Sequence, residues 1–303
     1  MSPQAGTFAG PRYGNTEDLA FAGVNPLMVV RAGTGGSQAV RAAISRDGGA
    51  NWRALAGEPS TGNGADAITI SADAHIIVWT PRDEEPYFTA DEGANWTACA
   101  GLSTGIRVVA DAVNCEEFYA FDARSGNFYS STNGAVSFMA EATVPAAHDS
   151  HSFGFGGASL VATPGMERDL WLVAHGQGLF HSTNGGADFT RLALVQDAGS
   201  LGLGKAAPGA DFPALFLSGQ ISGLRALFRS DDGGENWVRI NDDRHQYGYQ
   251  YGYISHVTGD PRVFGRVYFA TGGRGVIYGE IAAGTPAAKA SWGNNSGSAS
   301  SSP

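Results

Sequence analysis

The residues best suited to chemistry lie close together late in the chain: Asn241-Asp242-Asp243-Arg244-His245-Gln246-Tyr247-Gly248-Tyr249-Gln250-Tyr251-Gly252-Tyr253. Four tyrosines interleaved with amide, imidazole and carboxylate groups suit sugar recognition. Ring faces cover the apolar C–H patches of a pyranose, and the polar groups bind its hydroxyls. Arg244, His245, Gln246, Tyr247 and Tyr249 are the candidate substrate-binding residues. The competing reading has the tyrosines alternate along a strand and pack between structural units. A second cluster, His148-Asp149-Ser150-His151 with Phe153 and Phe155, invites a metal. No fourth ligand is evident and the spacing matches no strong metal motif, so it reads as a solvated loop. Neither a metal nor a cofactor is expected.

Such residues need a scaffold, and a repeat supplies it. Five near-copies of one motif punctuate the chain: Ser45–Trp52 (SRDGGANW), Thr89–Trp96 (TADEGANW), Ser131–Phe138 (STNGAVSF), Ser182–Phe189 (STNGGADF) and Ser230–Trp237 (SDDGGENW). The pattern is the Asp-box, Ser/Thr-x-Asp/Asn-x-Gly-x-x-Trp/Phe, recurring at steps of 44, 42, 51 and 48 residues. That period marks stacked or radial units. Each box reads as a tight turn between two strands. Its acid or amide (Asp47, Asp91, Asn133, Asn184, Asp232) accepts a backbone N–H two residues on, and glycine supplies the left-handed backbone. The closing aromatic buries its ring between neighbouring units. The box acids are therefore structural. Short apolar strands precede the boxes at Ala42–Ile44, Phe128–Tyr129, Gly178–Phe180 and Leu224–Phe228. Four-stranded units at this spacing predict an all-β fold, a β-propeller with Asp-box repeats, with about six blades across residues 10–280.

The 303 residues, 43% of them hydrophobic, suffice for one large domain, and 44 glycines fit a turn-rich chain. A net charge of −10 with 19 Lys and Arg argues against nucleic acid and anionic membrane surfaces as partners. No apolar run approaches a membrane span. The start, Met1-Ser2-Pro3-Gln4, is not a signal peptide, and residues 282–303 read as a flexible Gly/Ala/Ser linker after a propeller at 1–281. These ends suggest a piece of a longer protein. Cys99 and Cys115 fit one disulfide or two free thiols equally well.

The box turn sits at one end of a strand expected to run four to six residues, so the following loop emerges on the opposite face. Those loops are Ala56–Asp66, Ala98–Arg107, Glu141–Gly157, Val195–Gly209 and Asn241–Tyr253. They differ while the boxes stay alike, as a binding face on a fixed scaffold would.

Three segments resemble the C-terminal lobe of glycoside hydrolase family 74, the xyloglucanases. They are Arg229–Asp243 continuing through His245-Gln246-Tyr247-Gly248, Gly259–Tyr268 running on to Thr271–Gly275, and Gly204–Gly209. Fainter likeness reaches back to Asn25-Pro26 and Val30–Gly33, so the resemblance covers roughly residues 10–280. It implies a seven-bladed propeller facing a second one across a cleft that holds a β-1,4-glucan with xylose branches. It also implies a secreted enzyme and an inverting hydrolysis by two aspartates, one from each lobe. The lobe's own aspartate belongs to a Gly-Asp-x-Gly-Gly-Phe-type segment, and none is present, so no catalytic residue carries over. As substitutes, Asp18, Asp242, Asp243 and Asp260 match no catalytic motif. The expected partners are xyloglucan or a related β-glucan and a matching N-terminal propeller lobe. The alternative is a non-catalytic propeller that binds sugars or proteins. A sialidase reading is weak, because the Phe/Tyr-Arg-Ile-Pro segment of that chemistry is missing. With a blade short, open sheet edges would favour self-association.

Overall fold

The computed structural model describes residues 15–34, 40–59, 65–81, 83–147, 158–245, 256–271 and 275–281. These form six antiparallel sheets, each a meander in chain order, arranged as the blades of a β-propeller. Blade one is β1 (Asn15–Phe21), β2 (Val29–Thr34), β3 (Ala42–Ser45) and β4 (Arg53–Ala54). Blade two is β5 (Ala65–Ile70), β6 (Ile77–Pro81), β7 (Tyr87–Thr89) and β8 (Thr97–Ala98). Blade three is β9 (Val108–Ala110), β10 (Phe118–Asp122), β11 (Asn127–Ser131) and β12 (Met139–Thr143). Blade four is β13 (Ser159–Ala162), β14 (Leu170–Ala174), β15 (Gly178–Ser182) and β16 (Thr190–Arg191). Blade five is β17 (Val195–Gly204), β18 (Ala214–Ile221), β19 (Leu224–Ser230) and β20 (Val238–Arg239). Blade six contributes β21 (His256–Gly259), β22 (Val267–Ala270) and β23 (Val276–Gly279).

Each box joins a third strand to a fourth and is held by its own side chains. The opening hydroxyl of Ser45, Thr89, Ser131, Ser182 or Ser230 accepts the N–H four residues on, at 2.8–3.1 Å. It also donates to the box acid or amide. That acid or amide was expected to take an N–H two residues on. It reaches four residues on instead, to the N–H of Asn51, Asn95, Ser137, Asp188 and Asn236. The reach follows from two successive left-handed residues, such as Gly48 (φ 70°) and Gly49 (φ 90°), which curl the chain back over the side chain. Positions three and seven of the box are chemically matched. Asp47, Asp91 and Asp232 accept from the amides of Asn51, Asn95 and Asn236, each at 2.7 Å. Where position three is an amide, position seven becomes an acceptor: Asn133 donates to Ser137 and Asn184 to Asp188.

Four of the five box aromatics join blades, as expected, while Trp52 bonds through Nε1 to the Gly49 carbonyl of its own box. Trp96 packs with blade one's core, Phe138 with Ile76 and Val78 of blade two, and Phe189 edge-on against Phe128 of blade three at 5.0 Å. Trp237 closes the cluster of Trp171, Leu215 and Leu217 between blades four and five. Fully burying such a ring is worth about 2–3 kcal/mol.

Two expectations about strands are corrected. The fourth strands β4, β8, β16 and β20 are two residues long, because the chain turns inward to the next blade as soon as the aromatic is seated. Val195–Gly204, within the stretch Val195–Gly209 read as the loop that follows a box strand, is the inner strand β17, with register shifts at Val195/Asp197 and Ala198/Ser200. Its glycines serve close packing. A methyl at Gly202 would lie 2.4 Å from the Val257 carbonyl oxygen and the Thr258 Cα of blade six. Both cysteines are free thiols, Cys99 buried and pushed up to about 12 by that burial.

Blades pack in series from one to six. Among the described residues no comparable packing joins blade six to blade one. The outward faces of these two stay apolar and open, with Phe21 57%, Val276 73% and Tyr278 63% exposed.

Three outcomes follow from these features. Gly202→Ala forces blade six off blade five, and the thermal midpoint should fall by the equivalent of about 2–3 kcal/mol. Asp47 and Asp91 are held down to about 2, chiefly by the N–H and amide of Asn51 and Asn95. Their folded values lie below the unfolded ones, so the stability they add is present above about pH 4 and lost as pH falls toward 2. The Asp47→Asn/Asp91→Asn double variant should show a flatter acid-unfolding profile across that window. Sedimentation velocity should find the purified chain associating through its open faces, and substituting Phe21 and Tyr278 by serine should return it toward monomer.

Candidate functional site

The meander sorts its turns between two ends of the ring. Boxes share one end with the turns between first and second strands. The turns between second and third strands, and the connections between blades, share the other.

The box end satisfies itself. Gly48, Gly134 and Gly185 donate their N–H groups to the carbonyls of Leu27, Glu116 and Arg168 in the neighbouring turns. Asp260 belongs here and is almost fully buried. Its Oδ1 accepts the N–H of Arg262 and Val263, and its Oδ2 the Tyr268 hydroxyl at 3.0 Å. These bonds, led by that of Arg262, hold its carboxyl below the usual range. Asp111 repeats the arrangement in blade three, taking the N–H of Val113 and Asn114 and the Tyr119 hydroxyl at 2.9 Å. Both acids are turn-formers.

The opposite end carries the predicted binding stretch, which opens as blade five finishes. Asn241 fixes it by accepting the Leu227 N–H and donating to the His245 carbonyl. Asp242 Oδ1 accepts the N–H groups of Arg244 and His245 and lies 2.6 Å from His245 Nδ1. The imidazole contact is the largest cause holding the Asp242 carboxyl down. Asp243 pairs with Arg239 at 2.6 Å. Arg244 and His245 are thus placed on the loop end. Gln246, Tyr247 and Tyr249 lie outside the described residues, as do His148–His151, Phe153 and Phe155. Among the described residues no group of three or more His, Cys, Asp or Glu side chains is placed to hold a metal ion.

Sequence reasoning missed a second constellation at this end, between blades four and five. His175 stands in the turn from β14 to β15, with Nδ1 3.3 Å from Asp197 Oδ1. The same oxygen accepts the Gly176 N–H at 2.8 Å, and Arg225 Nη1 lies 3.5 Å from Asp197 Oδ2. Burial raises the Asp197 carboxyl, but His175, Gly176 and Arg225 together bring it below the usual range. The only sequence signal was a lone histidine in His175-Gly176-Gln177-Gly178, and reading 195–209 as loop hid its partner.

Asp18 stands on the inner strand of blade one. Its Oδ2 accepts the Ile68 N–H of blade two at 2.9 Å. Burial pushes its carboxyl up, against those backbone bonds and the fields of Arg107 and His256. Asp18 is a cross-blade link.

No family model matches the chain. Known relatives do. The chain is 41% identical over 291 residues to a xyloglucanase of Paenibacillus sp, covering 93% of this chain and 27% of that protein. It is 39% identical over 277 residues to a xyloglucanase of Acetivibrio thermocellus, covering 91% of this chain and 32% of the relative. It superimposes on the crystal structure of the GH74 xyloglucanase from Xanthomonas campestris with a TM-score of 0.82 at 41% identity. That match covers 91% of this chain and 38% of the other. The chain therefore spans about a third of the length of the relatives it matches.

Proposed function

We propose that this chain, a propeller lobe of the glycoside hydrolase family 74 xyloglucanase kind, forms one wall of a cleft that takes a β-1,4-glucan backbone bearing xylose branches. The observation that carries this reading is the likeness to xyloglucanases over nine-tenths of the chain. The loop end supports it with side chains fixed for hydrogen bonding, while the box end is consumed by its own turns. Arg244, His245, Gln246, Tyr247 and Tyr249 line the wall: the rings stack on pyranose faces and the polar groups meet the hydroxyls. His245, oriented by Asp242 through Nδ1, presents its Nε2 edge on the far side of the ring.

In the intact protein the reaction is an inverting hydrolysis. A carboxylic acid protonates the leaving oxygen and a carboxylate activates water, about 6.5–9.5 Å apart. The reading assigns neither group to this chain. A matching N-terminal propeller lobe is the partner that completes the cleft. A polysaccharide substrate too large to enter a cell places the intact protein outside it.

A second reading, a non-catalytic propeller for carbohydrate or protein, is favoured by one observation. Asp18, Asp242, Asp243 and Asp260 are each engaged in internal bonds.

Release of reducing ends from xyloglucan separates the two. The isolated, folded chain should release none, and the chain joined to a matching N-terminal lobe should be active. In the joined protein, Tyr247→Ala with Tyr249→Ala should raise KM about tenfold or more. A folded joined protein that neither binds nor cleaves xyloglucan overturns the reading. One that binds without cleaving moves it to the non-catalytic alternative.

A further inference from the structure

We infer that the outer edge of blade three is a docking site for a basic, extended segment of a partner protein. The segment adds as a fifth strand along β12 and seats a lysine or arginine between Glu141 and Asp188. The site lies on the outer flank of the ring and stands independently of the glycan reading above.

Strand length singles out this edge. The outer strands β4, β8, β16 and β20 are two residues long, whereas β12 runs five, Met139–Thr143. It ends its sheet in the order β12-β11-β10-β9, so among the described residues only one of its edges carries a ladder. The other edge presents backbone N–H and C=O groups to solvent, and Met139, Ala140, Glu141 and Thr143 are exposed. A long open edge is a template for pairing, which the short outer strands of the other four blades avoid. Strand addition to such an edge takes its affinity from main-chain bonds and its specificity from side-chain pockets.

A pocket adjoins the edge. A cavity of about 360 Å³ opens between the end of β12 and the box of blade four. Its apolar lining, Val144, Phe180 and Phe189, belongs to the cluster that joins blades three and four. Glu141 comes to it from β12 and Asp188 from the box, one carboxylate from each blade. Alternate residues of an added strand share one face, so an apolar side chain can cover this lining while the cation two positions away meets the carboxylates.

Charge selects the occupant. Glu141 accepts the Ser130 hydroxyl at 2.9 Å and Asp188 the Asn184 amide at 3.2 Å. Both donors are neutral, so among the described residues no cation compensates either carboxylate. An ionised carboxylate accepts up to about four hydrogen bonds, which leaves each of them room for an ammonium or guanidinium. Glu141 also sits at the register shift between β11 and β12, where the ladder pairs Ala140 and Ala142 and passes it by. Such a bulge re-aims its side chain. A second copy of this chain is the poorer occupant. Antiparallel pairing of two β12 strands about their midpoint sets Glu141 against Glu141, and the chain carries a net charge of −10.

The test titrates the full chain with acetyl-Thr-Lys-Thr-Val-Thr-Lys-Thr-amide, whose lysines and valine share one face, while backbone amides are followed by 15N NMR. The signals of Met139–Thr143 should shift to saturation. Glu141→Gln and Asp188→Asn keep acceptors for Ser130 and Asn184, and each should weaken binding about two- to fivefold. The same peptide N-methylated throughout keeps its charge but cannot form a ladder, and should lose about tenfold or more. Equal binding of the N-methylated peptide, or full affinity in the Glu141→Gln/Asp188→Asn double variant, means adsorption to an acidic surface and overturns the inference. Binding that leaves the β12 amides unmoved, or no binding at millimolar peptide, overturns it as well. Should the double variant fail to fold, the β12 amides of the wild-type protein decide. None of these outcomes touches the glycan reading, which rests on other residues.

Discussion

A radial fold places the first strand of every sheet at an inner edge, where its backbone N–H groups face a neighbouring edge rather than a ladder. Unpaired groups there would each cost about 1–3 kcal/mol. The chain answers with side chains aimed around the ring. Asp18 of β1 takes the Ile68 N–H of β5, Thr69 of β5 takes the Ala110 N–H of β9, and Ser200 of β17 takes the Val257 N–H of β21. Each link runs from one blade to the next, so it satisfies an edge and sets the angle between sheets. The bulges in β1, β5 and β17 bring such residues to bear. Close approach is the other half of the constraint, and Gly202, Gly204 and Gly259 let blades five and six meet backbone to backbone.

The boxes perform the matching task at the outside. Hydroxyl, acid or amide and left-handed pair make each turn self-contained, and in blades two to five the aromatic hooks it onto the previous blade. The complementarity of positions three and seven shows how tightly a turn is specified. An acid meets an amide donor in three boxes and an amide meets an acceptor in the other two.

This division explains what the sequence made legible. Boxes recur because one local geometry admits few residues, so the propeller, its blade spacing and the interblade aromatics could be read from five short segments. Inner strands obey no such local rule. Their residues answer to a neighbour some 40 to 60 positions away, as Asp18 does to Ile68 and Ser200 to Val257. The segment 195–204 therefore reads in sequence as the loop after a box strand, although its Gly202 and Gly204 serve packing. The same blindness hid Asp197 from His175, 22 residues apart in sequence and joined only when blade five docks on blade four. The stretch from Asn241 stands out in the sequence because its polar residues are contiguous, and of it Asn241–His245 lie among the described residues.

The carboxyls themselves argue for separating binding from bond breaking. A general acid needs a raised carboxyl within reach of the leaving oxygen. Among the described aspartates with displaced titration, Asp47, Asp73, Asp91, Asp197, Asp232, Asp242 and Asp260 are all pushed down. Each is pushed by bonds that shape a turn or orient a neighbour, and each is thereby kept ionised. Asp18 alone among them is raised, yet its two oxygens accept the N–H groups of Leu19 and of Ile68 in the next blade. Using it as an acid would cut the link that holds blades one and two in place. These carboxylates shape turns and orient the imidazole and guanidinium groups beside them.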